Sequence, residues 1–290
     1  MDRATDKQAR IDRRRKGISS RYPATWEKLV GEWNSPGRED LAWLIYSANY
    51  LFRTAGIHWA LDPLTLHWRV PGAPPVDTAR DLRNLSFVLL THCHADHLDF
   101  DLLRSLRTSP IRWVIPESIL SRVQKEGGLP EENIIVAVHL KVLEMNGIRI
   151  TPFDGQHFQN DSSHPNGLRG VPEKGYLVEF SGKRWLFPGD TRTYDANQIP
   201  SFGPVDGLFA HLWLGRGCAL NDKPPLLDAF CNFHSDLQAK QIIVTHLEEF
   251  GRAVDEFWDA EHFQLVKKGL LERSPGVIVK SAYLGERIEL

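Results

Sequence analysis

Cysteine is scarce in this 290-residue chain: Cys93, Cys218 and Cys231 are odd in number, far apart and form no C-x-x-C pair. That excludes a disulfide framework and points to a reducing, cytoplasmic setting. Long apolar runs are absent as well. No stretch approaches the roughly 20 uninterrupted apolar residues of a spanning helix. The N-terminal "MDRATDKQARIDRRRKG" lacks an apolar h-region, and its Asp2, Asp6 and Asp12 are at odds with a mitochondrial presequence. Charge of one sign is lacking too. With 35 basic and 37 acidic residues the formal net charge is −2, so no overall bias draws the chain to nucleic acid or an anionic membrane. A small-molecule or lipid-like partner is the expectation, and a monomer and a homo-oligomer both stay open.

What the chain does have is an ordinary globular composition, 42% hydrophobic and 25% charged, enough for a core without staples. Residues 1–40 read as a charged N-terminal extension closed by Pro36-Gly37. Its Arg13–Lys16 run is either a solvated helix end or frayed tail, or a contact for a phosphate backbone. From residue 41 to 290 short apolar runs alternate with turn signals and no linker intervenes. Strands are expected at Leu44–Leu51, Ile57–Leu61, "LSFVLLTH", "IRWVIP", "NIIVAVHL", "GIRITPF" and "VDGLFAHL", with a hairpin around Ser181-Gly182 and further strands at "QIIVTH", "GVIVK" and "ERIEL". Helices are expected at "DFDLLRSLR" with Asp99 as N-cap, at "ESILSRVQKEG", at "PLLDAFCNFHSDLQAK" and around "AVDEFWDAEHFQLVKKGLLER". The pattern is one α/β domain of layered sheets with outer helices.

The unusual stretch is "THCHADHLD", residues 91–99, which follows an apolar strand and places His92, His94, Asp96 and His97 within six positions. With only 12 histidines in the chain, chance is a poor account of that density. Imidazole nitrogen and carboxylate oxygen are the donors that zinc and similar ions take. In extended backbone residues two apart point the same way, so His92 and His94 can grip one ion while Asp96 and His97 reach a second. Completing two sites needs donors from other strand ends. His157 in "ITPFDGQHF", Asp190 in "RWLFPGD" and His246 in "QIIVTH" are the candidates, each with a bland alternative as a satisfied strand-end histidine or an Asx-turn. His164, in the loop "HFQNDSSHPNG", rivals His157.

The order H-x-H-x-D-H, a later His, G-D-T and a last His resembles the metallo-β-lactamase superfamily of binuclear metallohydrolases. "GQHF", "LFPGDTRTY", "DLQAKQIIVTHLEEF" and "IHWALDP" are most similar to its branch of N-acyl-phosphatidylethanolamine phospholipases D and ascorbate-6-phosphate lactonase-like enzymes. The resemblance covers roughly residues 41–290 and implies a four-layer αββα sandwich. It also implies two divalent ions, zinc foremost with manganese or iron as alternatives. His92, His94 and His157 would hold one ion, Asp96, His97 and His246 the other, and Asp190 would bridge. The implied activity is hydrolysis of an ester, lactone, amide or phosphodiester by a metal-activated hydroxide, with Asp96 and His246 at the reacting centre. Phosphodiesterase or nuclease action on nucleic acid, an iron-dependent oxidoreductase and a non-catalytic scaffold are the alternatives.

The chain departs from the branch at "AHLWLGRG", where a Pro-Ile-Gly-like segment is usual, and at "LNDKPPLLD", where a histidine is missing. His211, Trp213 and Arg216 either line the substrate pocket, with Arg216 facing an anionic group, or belong to a surface loop. His234 is either a pocket residue or a partly buried helix histidine. His58, His67, His139 and His262 read as structural or exposed, and Cys93 should point away from the ligands.

Overall fold

The computed structural model describes residues 3–67, 69–70, 72–164 and 167–290. A long helix α1 (Arg3–Asn34) precedes β1 (Leu41–Leu44), β2 (Tyr50–Thr54) and β3 (Ile57–Leu61). There follow α2 (Thr78–Asp81), β4 (Phe87–Leu89), α3 (Phe100–Leu106), β5 (Arg112–Ile115), α4 (Leu120–Lys125) and β6 (Ile134–Val136). The second half runs β7 (Leu143–Met145), β8 (Ile148–Asp154), β9 (Gln159–Asn160), β10 (Leu168–Arg169), β11 (Lys174–Phe180), β12 (Lys183–Phe187) and β13 (Val205–His211). It ends with α5 (Leu227–Asp236), β14 (Ala239–Thr245), α6 (Ala260–Arg273), β15 (Ile278–Ser281) and β16 (Arg287–Glu289).

Two seven-stranded sheets result, ordered β16-β1-β2-β3-β4-β5-β6 and β15-β14-β13-β12-β11-β8-β7. Each has an antiparallel part that gives way to a parallel part, at β3–β4 in the first sheet and β12–β13 in the second. Alternation along the strands divides the side chains between layers. In β4, Phe87 and Leu89 join the core between the sheets while Val88 packs outward. In β14, Ile243 faces the other sheet while Ile242 and Val244 face the outer helices. One outer cluster includes residues of α1, α3 and α4, the other residues of α5 and α6. The architecture is therefore the four-layer αββα sandwich. Burial on both faces explains why central strands read as unbroken apolar runs. Gly207 serves this packing, since a Cβ there would stand 2.1 Å from the Trp185 ring, which fills the space between the sheets.

Several local expectations change. Leu44–Leu51 is not one strand. Residues 45–49 form a tight loop in which the Ile45 N–H donates to the Asn49 carbonyl at 2.7 Å, and the Asn49 side chain braces the Asp62 and Asp96 carbonyls at 2.8 and 2.7 Å. "NIIVAVHL" is a strand only over β6. "ESILSRVQKEG" begins as a 3₁₀ turn before α4, and α6 starts late, at a capping box of Asp259 and His262. Asp99 does cap α3, accepting from the Asp101 and Leu102 N–H groups.

The segment read as an extension is mostly α1, whose Tyr22, Trp26, Leu29, Val30 and Trp33 are buried. Trp33 Nε1 donates to the Phe52 carbonyl at 2.8 Å and Trp26 Nε1 to Asp81 at 2.7 Å. The basic run lies inside this helix, where Arg14 pairs with Glu248 at 2.5 Å and Arg15 donates to the Phe250 carbonyl. Trp33, Trp43, Trp59, Trp113 and Trp185 are core residues, whereas Trp68 lies outside the described residues. No helix among the described residues is long and apolar enough to cross a membrane.

Candidate metal centre

The chemistry-bearing residues sit where strands end along one edge of the two sheets. The segment after β4 supplies His92, His94, Asp96 and His97, that after β8 supplies His157, that after β12 supplies Asp190, and β14 delivers His246. All seven converge. Donor atoms of His92, His94 and His157 lie within 4.8 Å of one another, as do those of His92, His97 and Asp190, and those of Asp96, His97 and His246. His92 Nε2 and His94 Nδ1 are 3.1 Å apart. Two imidazoles at about 2.0–2.1 Å from one ion stand at roughly that separation. His157, not His164, joins this group; His164 is exposed on the rim of the adjoining cavity.

Asp190 is the centre of the arrangement. Its Oδ1 is 2.9 Å from His211 Nδ1 and 3.5 Å from His97 Nε2. Its Oδ2 is 3.2 Å from Arg192 Nη2, 3.6 Å from His246 Nε2 and 3.9 Å from His157 Nε2. Gly189 makes this approach feasible: its φ is +82°, and a Cβ would stand 2.5 Å from the Glu173 carboxyl, which accepts from the Asp190 N–H at 2.8 Å.

The outer nitrogens of the rings are held from behind. His97 Nδ1 faces Asp62 Oδ2 at 2.7 Å, His92 Nδ1 faces Thr91 Oγ1 at 2.9 Å and Glu173 Oε1 at 3.2 Å, and His246 Nδ1 faces the Leu212 carbonyl at 3.3 Å. Such contacts fix the tautomer and turn the other nitrogen inward. The inward atoms His97 Nε2, His157 Nε2 and His246 Nε2 are buried without a hydrogen-bond partner. Buried polar atoms are seldom left so. Burial holds His92 down to about 3, and His94 and His246 to about 4, so their rings are neutral at pH 7 with lone pairs available. His97 differs. Burial would depress it, but the Asp190 and Asp62 carboxylates reverse that and hold it well above its ordinary value. Neutral imidazoles around carboxylates, with a demand for positive charge at the middle, fit divalent cations.

Sequence reasoning missed several participants, Arg192 beside Asp190 and Arg69 beside Asp96 among them. Asp62 and Glu173 orient ligand candidates. Arg252 pairs with Asp96 at 3.2 Å and with Glu249 at 2.8 Å. Glu249 is buried, with Oε2 3.5 Å from His246 Nε2; burial, then the Asp96 charge, push it up to about 7. The acid three residues past the last histidine in "THLEEF" was the available signal.

The residues assigned to substrate separate. Arg216 lines a cavity of about 530 Å³ that opens on His94, Asp96 and His157. His211 is buried behind Asp190, between that carboxylate and Tyr50 Oη at 3.1 Å, so it orients Asp190 and does not line the cavity. His234 is buried in α5, its Nδ1 2.8 Å from the Phe230 carbonyl and its ring 4.1 Å from the Phe230 ring, and it too lies outside the cavity lining. Burial lowers His234 to about 3, against about 6.5 in an unfolded chain. Between those pH values the unfolded state binds a proton that the folded state refuses, so stability falls as pH drops below 6.5. In urea unfolding, His234→Leu should therefore gain on the parent chain by about 1–3 kcal/mol between pH 6.5 and 4.5. A gap that does not move with pH means His234 is not held neutral in the fold.

Comparison with known proteins agrees with this fold. The family model described as "Beta-lactamase superfamily domain" matches residues 61–247. N-acyl-phosphatidylethanolamine-hydrolyzing phospholipase D 1 of Caenorhabditis elegans is 24% identical over 208 residues, covering 64% of this chain and 55% of that protein. Among solved structures, Igni18, a metallo hydrolase from Ignicoccus hospitalis, aligns with a TM-score of 0.61 at 18% identity, over 87% of this chain and 98% of its own. CmlA, a diiron beta-hydroxylase from Streptomyces venezuelae, aligns with a TM-score of 0.60 at 17% identity, over 89% of this chain and 55% of its own. The chain thus spans little more than half the length of the phospholipase and of CmlA.

Proposed function

Because the chain belongs to the metallo-β-lactamase superfamily, we propose that it is a binuclear metal-dependent hydrolase of a small-molecule or lipid-like ester, lactone, amide or phosphodiester. One observation carries the reading: three buried Nε2 atoms without partners converge, with His92 and His94, on Asp96 and Asp190. His92, His94 and His157 would hold one ion, Asp96, His97 and His246 the second, and Asp190 would stand between them. Ions so held supply a nucleophile from water near neutral pH and a counter-charge for a developing oxyanion.

The chain's own groups do the rest. Asp96 lines the cavity, so its carboxylate is placed to orient an attacking water. Burial opposes its ionisation, but His97 and Arg252 overcome that and hold it well below the usual carboxylate range. Arg252 and Arg69, at 3.2 and 3.5 Å, fix its orientation. His246, also proposed at the reacting centre, is held rigidly, since its N–H donates to the Ser47 carbonyl at 2.6 Å and its φ is +63°. The test is metal analysis of protein purified without added metal, followed by a screen of lactone, ester, amide and phosphodiester substrates. About two zinc or manganese ions per chain and chelator-sensitive hydrolysis are expected. No bound metal after reconstitution would leave the scaffold reading in its place.

A second reading is favoured by Glu249. It would bring a third carboxylate beside His246, and an oxygen-rich donor set suits iron or manganese better than zinc. The similar fold of a diiron hydroxylase is in keeping with it. Iron in the purified protein, with oxygen consumption and no hydrolysis, would replace the hydrolase reading with an oxidoreductase.

A further inference from the structure

The cavity beside the cluster is cationic. Arg69, Arg169, Arg192, Arg216 and Arg252 line it, and the one carboxylate among its lining residues is Asp96. Arg69 and Arg252 are committed to that carboxylate. The other three pair with carboxylates that do not line the cavity, Arg192 through Nη2 with Asp190 at 3.2 Å. Trp213 is a shared platform for two of them, with the Arg192 guanidinium 3.8 Å and the Arg216 guanidinium 5.6 Å from its ring centroid. Stacking on an indole holds a guanidinium in place while leaving its in-plane N–H donors free to bind. Arg192 is 9% exposed, and its buried Nη1 has no hydrogen-bond partner. Arg169 and Arg216 each meet one carboxylate, Asp161 and Glu256, through Nη1 at 3.4 Å and are about half exposed, which leaves their other N–H donors for a ligand. Burial, then the neighbouring Arg169 charge, push Arg216 below its ordinary value, so these cations work against one another across the void.

Like charges gathered at one wall are costly unless an anion joins them. Three forks exceed what one carboxylate can occupy, whereas a phosphate dianion offers three terminal oxygens to several guanidinium groups. The volume, about 530 Å³, suits a small molecule, and among the described residues the lining has no aliphatic side chain larger than alanine to receive an acyl chain.

We propose that this cavity takes a substrate bearing a phosphate group, docked on Arg169, Arg192 and Arg216 beside the histidine–aspartate cluster. The assignment of this group as part of a substrate rests on the hydrolase reading; the anion site itself does not.

The first experiment titrates inorganic phosphate into the purified protein by calorimetry, beside Arg169→Ala/Arg216→Ala and Arg216→Lys. Neither residue belongs to the proposed ligand set, so metal content should match the parent chain in each variant. Phosphate should bind more weakly as salt rises, at least tenfold more weakly in the double variant, and intermediately in Arg216→Lys, which keeps the charge but loses the stacked fork. No phosphate binding, or equal binding in all three proteins, overturns the proposal, the latter assigning phosphate to the metal centre.

The second compares kcat/KM for an aryl acetate with and without a ring phosphate, and for a short-chain phospholipid below its micelle concentration. Preference for the phosphorylated acetate points to a soluble organic phosphate, and preference for the phospholipid points to a headgroup. Either preference should shrink at least tenfold in the double variant, and its absence overturns the proposal as a statement about substrate. Arginine-dependent phosphate binding without hydrolysis of any compound would leave the anion site standing and refute the hydrolase reading.

Discussion

Asp190→Ala should reduce bound metal from about two ions per chain to fewer than one and lower turnover by roughly 10³-fold or more. The expectation follows from position. Asp190 is 2% exposed, and its two oxygens lie within 4 Å of His97, His157, His246, His211 and Arg192. Donors assigned to both ions face it. Removing it leaves the Arg192 guanidinium buried beside the centre with its carboxylate partner gone, adding a cation where two more must bind. The backbone should survive, because the inter-sheet core is built from Phe52, Trp59, Phe87, Phe187 and Phe209, independent of this carboxylate. Asp190→Asn sharpens the reading. It preserves the shape and can still accept from His211, but it removes the charge, so metal should be lost nearly as fully. Plasma mass spectrometry with circular dichroism measures both points. A variant that keeps two ions and wild-type turnover would refute the central role.

The edge of the molecule that carries this cluster was legible because ligands cluster in sequence and punctuate strands. "THCHADHLD" concentrates four donors at one strand end, and His157, Asp190 and His246 each follow an apolar run. The layering was legible for the same reason, since runs such as "LSFVLL" have no polar face to give to water.

Contacts between distant segments were not legible. Glu173 reaches His92 and the Asp190 N–H from the start of β11, and His211 turns behind Asp190 from the end of β13. Neither spacing has a local signature, so His211 read as a pocket residue. The 1–40 segment misled through its charge. Its buried positions 22, 26, 29, 30 and 33 recur at helical spacing, but arginines and aspartates dominate the composition and Pro23 interrupts the pattern. The five cavity arginines come from five separate segments, four loops and the short strand β10, and only Arg216 stood out beforehand.

Asp62→Ala should have the second largest effect, and a different one. Asp62 Oδ2 faces His97 Nδ1 at 2.7 Å, while its carboxylate also accepts the Thr91 N–H at 2.8 Å and the Thr91 hydroxyl. It is buried at the end of β3, with φ +44°, in the left-handed region that aspartate tolerates better than bulkier residues. Its N–H donates to the Leu89 carbonyl, and its own carbonyl accepts from Asn49, which also holds Asp96. Asp62 thus aims His97 and supports the segment carrying Asp96, two of the three donors assigned to the second ion, and reaches the first ion's donors only through Thr91, whose Oγ1 faces His92 Nδ1, a ring that Glu173 also holds.

Alanine leaves the His97 ring free to turn and the buried Thr91 N–H without its acceptor. Affinity for the second ion should fall by about 10–100-fold, the usual cost of removing a carboxylate behind a histidine ligand. The unpaired Thr91 donor should lower stability by about 1–3 kcal/mol. Chelator competition followed to equilibrium should then show one ion leaving at much lower chelator concentration than the other, where Asp190→Ala loses both together. Asp62→Asn, which can still accept from Thr91, should restore most of the stability but little of the affinity, because the negative charge facing His97 is gone. If both ions weaken equally in Asp62→Ala, the division of the seven donors into two sets is wrong, and His97 belongs to a single shared site.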